Sequence, residues 1–295
     1  MRDAAPETVA PTVRRCARPL RIAFLTSYFL SPDQAGPLRS WQVARLLAER
    51  GHRVTVLTTD THYMTGGAAR ANLSQLGPDE QLEVRYVRTP RNYRRIRLGR
   101  WGFLLGLTLG WSRELVRGPR YDVVLAVTPP PPVAALVAAL LRGSPFVYEI
   151  RDPMTDDAVE MGALRHPLLI RAGYALEALL YRAAAAIVAV TPGIGALVVG
   201  RGVPPSKVTV VTNGYDEELF ERPPIGLDPR RAHGWDQRFV AIFVGAMGHS
   251  TDLATILEAA ALLRDDERFL FVFLGEGEQR AGLERQARER RLQNC

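Results

Sequence analysis

The chain has 295 residues, 47% hydrophobic and 23% charged, which is the composition of an ordinary globular protein and excludes a low-complexity or disordered chain. Its net charge of +7 comes almost wholly from arginine, since Lys207 is the only lysine; phosphate recognition and genomic base composition both account for such a ratio. Cys16 and Cys295 stand at opposite ends, which excludes a disulfide framework or a cysteine metal cluster and fits a reducing, cytoplasmic setting.

Met1 to Arg18 is rich in Pro, Ala, Thr and Arg and lacks an apolar h-region, so it reads as a disordered leader and not as a secretory signal. Leu20–Ser27 predicts the first buried parallel strand, followed by the polar loop Ser31-Pro-Asp-Gln-Ala-Gly-Pro37. Leu38 to Arg50 has apolar residues near helical spacing and ends at Gly51, a residue suited to closing a helix. Arg53–Thr58 then predicts a second strand, completing a βαβ unit. Further strands are expected at Leu82–Val87, Val123–Val127, Pro145–Ile150, Ala186–Val190 and Val208–Val211. Helices are expected at Pro132–Leu141, Leu164–Arg182 and Pro192–Val199, with Pro131 and Pro132 suited to a first helical turn. Such alternation predicts an α/β fold with helices on both faces of a parallel sheet.

Residues 214–238 interrupt the pattern with charges and Pro-Pro and read as a linker. A second unit begins at Phe239-Val-Ala-Ile-Phe-Val-Gly-Ala-Met-Gly-His249 and continues through Phe271-Val-Phe-Leu-Gly-Glu-Gly277. It reads as strand, glycine turn, helix, repeated once. Ligands of open α/β sheets bind beyond the carboxyl ends of the strands, and glycine there lets backbone N–H groups approach a phosphate. No apolar run approaches the ~20 residues needed to span a bilayer.

Four segments in order carry a resemblance: Leu46-Leu-Ala-Glu-Arg-Gly-His-Arg-Val-Thr-Val-Leu57, Pro145-Phe-Val-Tyr-Glu-Ile-Arg-Asp152, Val210-Val-Thr-Asn-Gly-Tyr-Asp216, and Phe243 to Arg280. Together they resemble the family 4 retaining glycosyltransferases of GT-B fold, in particular the bacterial branch that builds surface polysaccharides. The resemblance spans roughly Leu20 to Asn294. It implies two Rossmann-like domains, an acceptor-side domain at 19–213 and a nucleotide-sugar-binding domain at 239–295. It implies transfer of a sugar from a nucleotide-sugar donor, with retention and with no cofactor or metal, to a lipid-linked or saccharide acceptor at the cytoplasmic membrane face. The family's donor-holding Glu-x7-Glu element is expected beyond Cys295, so the second domain is expected to be truncated. An alternative is a non-catalytic acceptor-domain module, one whose donor domain comes from a partner chain, or a fragment. Two local departures are Pro153-Met154-Thr155, where the branch usually has tryptophan and proline, and the missing Arg/Lys pair around His249–Leu253. A Rossmann dinucleotide enzyme is disfavoured, because the first βα loop lacks Gly-x-Gly-x-x-Gly and only Asp60 stands near the end of the second strand.

The candidate donor residues are Gly245, Gly248, His249, Gly275 and Gly277 in the second unit, and Gly36 and Arg39 in the first βα loop. Each glycine turn fits either a phosphate cradle or a tight βα connection. Arg39 reads either as a fork for phosphate or as a solvated arginine. Glu149, Arg151 and Asp152 end a strand at the cleft edge. There Asp152 is the candidate to position an acceptor hydroxyl or take its proton, with Arg151 balancing charge; a structural Arg–Asp pair is the competing reading. Arg91 to Arg120 sets eight arginines against one acid, Glu114, around the run Trp101–Trp111. It reads either as a contact for anionic lipid through Arg94, Arg95, Arg97, Arg100, Trp101 and Trp111 or as an ordinary crossover helix. No nucleic-acid-reading module is evident.

Overall fold

A computed structural model of the protein describes residues 18–34, 38–62, 68, 70–73, 81–89, 99–214, 228–248 and 251–295, with only the backbone of Arg100 and Trp101. Gly36, Arg94, Arg95, Arg97 and His249 lie outside the described residues, as do 1–17 of the expected leader and 215–227 of the expected linker.

Seven parallel strands form the first sheet: β1 (Arg21–Leu25), β2 (Arg53–Thr59), β3 (Leu82–Val87), β4 (Val123–Val127), β5 (Phe146–Ile150), β6 (Ala186–Ala189) and β7 (Val208–Val210). Their spatial order is β3-β2-β1-β4-β5-β6-β7. Chain direction across the sheet therefore reverses between β1 and β4, which pair from Ile22↔Val123 to Leu25↔Ala126. The helices between these strands are α1 (Arg39–Glu49), α2 (Gly99–Arg117), α3 (Val133–Arg142), α4 (Met154–Glu160), α5 (Pro167–Ala183) and α6 (Pro192–Gly200). The central strands are mostly apolar, as strands covered by helices are. Successive side chains of β1 divide between two cores: Ala23 and Leu25 join Phe103, Leu107 and Trp111 of α2, while Phe24 joins Trp41 and Ala44 of α1. Helix α1 closes at Gly51 (φ 85) and α3 at Gly143 (φ 64), left-handed positions that a Cβ would strain. The Thr191 side chain caps α6 by accepting from the Ile194 N–H, ahead of Pro192 in the first turn.

The Arg91–Arg120 stretch provides α2, and here one expectation is corrected. Trp111 is 1% exposed inside the core, so it cannot face a membrane surface. An indole on the sheet-facing stripe of a crossover helix buries too much apolar area to turn outward. Helix α4 was not anticipated: Met-Thr-Asp-Asp-Ala-Val-Glu has no apolar periodicity.

The short helix α7 (Pro229–Ala232) precedes a second parallel sheet of β8 (Phe239–Val244) and β9 (Phe269–Leu274). Helices α8 (Leu253–Leu262) and α9 (Arg280–Glu289) cover one of its faces, where Leu253, Leu257, Ala260 and Leu283 pack on Ala241, Phe243 and Phe271. The alternate residues of the two strands, Val240, Ile242, Val244, Leu270, Val272 and Leu274, line the other face. Of these, Ile242, Val244 and Leu274 are 51%, 65% and 59% exposed.

Candidate functional site

The reversal between β1 and β4 opens a crevice at the carboxyl ends of the central strands, the usual ligand position of such sheets. β1 leads into Thr26 and Ser27, β4 into Thr128 and Pro129, and β5 ends on Glu149 and Ile150 before Arg151 and Asp152. Helix α1 starts at the same edge, bringing Arg39 and Ser40 alongside. The Thr26 and Ser40 hydroxyls lie 3.0 Å apart in a buried contact. Ser27 Oγ donates to the Pro129 carbonyl, and the Arg151 N–H donates to Thr128 Oγ1 at 2.9 Å.

Glu149, 3% exposed, organises the crevice floor. Its Oε1 accepts from Arg39 Nε at 2.8 Å and from Arg151 Nε at 3.0 Å. A buried carboxylate needs such charge-assisted partners to offset its desolvation. Arg151 also donates through Nη2 to Ser40 Oγ at 3.1 Å. Arg39 Nη1 donates to the Thr212 carbonyl and to Asn213 Oδ1, each at 2.9 Å, and its Nη2 donates to the Val211 carbonyl at 3.1 Å. Every nitrogen of the Arg39 guanidinium thus meets a protein acceptor. The expected fork toward phosphate is instead a clamp that ties the start of α1 to the chain leaving β7. Arg151 pairs with Glu149 and not with Asp152, so the anticipated Arg–Asp pair is replaced by an Arg–Glu–Arg cluster. Asp152 is exposed beside it. Two guanidinium groups against one carboxylate leave a positive charge at the crevice edge, with Asp152 the acidic group next to it.

On the outer side of this edge, Arg201 donates to Asp156 and, through Nη1, to Glu177 Oε2 at 2.8 Å. Glu177 is 4% exposed, and its Oε1 also accepts from the Thr155 N–H at 2.9 Å and the Thr155 hydroxyl at 2.6 Å. This network fastens α4 to α5 and to the residue closing α6. Burial, followed by the charges of Asp152, Glu160, Asp156 and Glu177, raises the Asp157 carboxyl above its ordinary range.

In the second unit the glycine turns after β8 and β9 touch each other. The Gly245 N–H donates to the Leu274 carbonyl at 3.0 Å, so it is not offered to a phosphate as expected. A Cβ at Gly275 would collide with the Gly245 carbonyl, and one at Gly277 with the Met247 carbonyl. Close backbone approach therefore explains both glycines. Gly248 stands in open space, with nothing within 4 Å of where its Cβ would be. An open pocket of about 800 Å³ lies along α9, lined by Met247, Gly275, Glu276, Arg280 and Arg288 among others. Its Arg280 pairs with Glu276 and with Glu284. Among the described residues no three His, Cys, Asp or Glu side chains group so as to hold a metal ion.

Residues 38–214 match the family model described as "Glycosyl transferase 4-like domain". The chain belongs to that family. No curated protein matches the sequence. Among solved structures, Anabaena HepE in complex with UDP and glucose superposes with a TM-score of 0.62 at 16% identity, over 93% of this chain and 67% of that one. Sucrose-phosphate synthase from Thermosynechococcus elongatus gives 0.62 at 14% identity, over 93% and 68%. The lipopolysaccharide outer core galactosyltransferase WaaB gives 0.51 at 13%, over 92% and 66%. At such identities the likeness shows the shared fold, an α/β architecture of GT-B type.

The matched span of this glycosyl transferase 4-like chain contains the whole Arg39–Glu149–Arg151 cluster. Sequence reading singled out Arg39, Arg151 and the Val-Thr-Asn-Gly junction separately, without their contact. It missed Ser40, Thr26 and Thr128. Glu149 had a legible signal, since a carboxylate inside the apolar strand Phe-Val-Tyr-Glu-Ile demands buried cationic partners.

Proposed function

We propose that the protein transfers a sugar from a nucleotide-sugar donor, with retention, to a lipid-linked or saccharide acceptor in the synthesis of a cell-surface polysaccharide. The observation that carries this reading is the Arg39–Glu149–Arg151 cluster at the strand-order reversal of a glycosyl transferase 4-like domain. Rigid, charge-assisted side chains there frame a polar crevice with Asp152 at its lip. A crevice edge fixed in this way can hold Asp152 where it orients an acceptor hydroxyl. Support for the donor class comes from HepE, whose structure is described in complex with UDP-glucose. Gly248 and its neighbour His249 are the residues we assign to the donor's phosphates, with no cofactor or metal. In this reading the protein works at the inner face of the plasma membrane, held there peripherally through the basic stretch Arg91–Arg120.

Asp152→Asn tests the assignment. If Asp152 positions or deprotonates the acceptor, transfer falls by ~10²–10⁴, the span of a general acid/base contribution, while calorimetric donor affinity and melting temperature hold. A folded variant with near-normal turnover removes Asp152 from the mechanism. A wild-type chain that turns over no UDP- or GDP-sugar with a lipid-linked saccharide acceptor removes the transferase reading.

A second reading, an acceptor-side module completed by a partner chain, is favoured by the exposure of Ile242, Val244 and Leu274 on one face of the β8–β9 sheet. Parallel sheets are normally covered on both faces. Micromolar binding of a nucleotide sugar by this chain alone counts against it.

A further inference from the structure

We infer that the outer face of the α2–α3–α5 layer is a docking surface for an anionic lipid monolayer. The three helices lie side by side on one face of the seven-stranded sheet, with α3 packed against both neighbours. Their inward stripes fill the core, yet their outward stripes are also apolar. On α5, Leu168, Ala172, Ala175, Leu179 and Ala183 are exposed at helical spacing. On α2, Leu105 and Leu109 are 61% and 60% exposed, and on α3 Leu140 reaches 75%. A single exposed leucine needs no explanation, but a layer of them marks an interaction site.

Charge selects the occupant. The three helices carry six arginines and two carboxylates. Glu177 is buried in the interior, and Glu114 pairs with Arg85. Arg113 and Arg117 continue the outward stripe of α2, while Arg171 and Arg182 flank that of α5, all four exposed. Outward leucines bordered by four exposed arginines match the interface of a membrane with anionic headgroups. A second copy of this face fits poorly, since two-fold pairing sets arginines against arginines. No helix among the described residues is long and apolar enough to cross a membrane, so the contact lies in the headgroup plane. This surface replaces buried Trp111 as the membrane-facing apolar element. The inference rests on the lipid-linked acceptor in the proposed function; its assay contains no donor, so the two readings fail separately.

The test is flotation of the full chain with vesicles of phosphatidylcholine alone or with phosphatidylglycerol at three parts in ten. Three variants are compared. One replaces Arg113, Arg117, Arg171 and Arg182 with Gln. One replaces Leu105, Leu109, Leu168 and Leu179 with Ser. A control of equal net charge replaces Arg264, Arg285, Arg288 and Arg290 with Gln. Each arginine at an anionic surface is worth about fivefold in partitioning, so the first variant should lose on the order of 10²–10³-fold. The serine variant should lose binding too, and the control should lose far less. Wild-type chain that binds neutral and anionic vesicles equally, or neither, overturns the proposal. So does a first variant no weaker than the control, which decides the matter even if the serine variant fails to fold. A wild-type dimer in sedimentation that the serine changes convert to monomer assigns the face to a second copy and also overturns it.

Discussion

Asp157 shows how one residue reports the charge layout of the crevice edge. It stands in the first turn of α4, where a helix N-terminus favours an anion, yet its carboxyl is raised by burial and by Asp152, Glu160, Asp156 and Glu177. Burial, with the neighbouring carboxylates adding to it, raises this carboxyl in spite of its place at a helix N-terminus. The raised group binds its proton more readily in the folded state, so its contribution to stability is complete below the ordinary carboxylate range and is lost as pH rises through the folded value. At neutral pH the ionised side chain is a liability. Asp157→Asn is therefore expected to raise the melting temperature near pH 7, with the gain vanishing as pH falls to about 4. Equal melting of variant and wild type across that range would show that the carboxylate cluster exerts no strain.

At the scale of elements, α4 is a seven-residue helix with too few apolar side chains to hold itself against the fold. Arg201 and Glu177 supply the fastening. Glu177 is nearly inaccessible, and removing its guanidinium leaves a buried carboxylate with only Thr155 and the Tyr181 hydroxyl, 3.5 Å away, as partners. Arg201→Met is expected to cost about 3 kcal/mol, at the low end for breaking a buried pair because the arginine is a quarter exposed. Arg201→Lys should recover only part, since a lysine cannot serve Asp156 and Glu177 with one planar fork. Urea denaturation of the two variants gives the comparison; a loss below about 0.5 kcal/mol would mean the network is ornamental to folding. Helix α2 depends on shape in place of charge: a Cβ at Gly110 would overlap the Val87 side chain, so this glycine lets α2 settle on β3.

Across the whole molecule, protection is expected to be uneven. β1, β4 and β5 have a hydrogen-bonded strand on each side, and β1 and β4 contribute to the cores on both faces. Among the described residues, β8 and β9 have one strand partner each and helices on one face. Two-stranded sheets are marginal without further support, and opening free energies follow local packing. In hydrogen–deuterium exchange of the full chain, amides of β8 and β9 should exchange well before those of β1, β4 and β5. Equal protection would mean that something in the protein covers the second sheet more fully than its exposed Ile242, Val244 and Leu274 indicate.

The sequence by itself determined the alternation of strand and helix. Buried parallel strands must be apolar along their whole length, and helices must carry an apolar stripe. Those are local properties, so Leu82–Val87 and Val123–Val127 were placed to the residue, and Gly51 marked the end of α1 through its own backbone freedom. Helix α4 escaped because its fastening is a side-chain network and not a pattern. Only the tertiary structure decided which side chains meet. Strand order sets β1 against β4 from about a hundred residues away, carrying Arg39 to Glu149 across 110 positions and to Thr212 across 173. The turn of α2 on the sheet sends Trp111 inward and Leu105 outward, and its sequence, apolar on nearly every face, left that choice open. Periodicity fixes where an element lies along the chain. The partners of a charge depend on topology and on helix rotation, and both are set by packing the entire core.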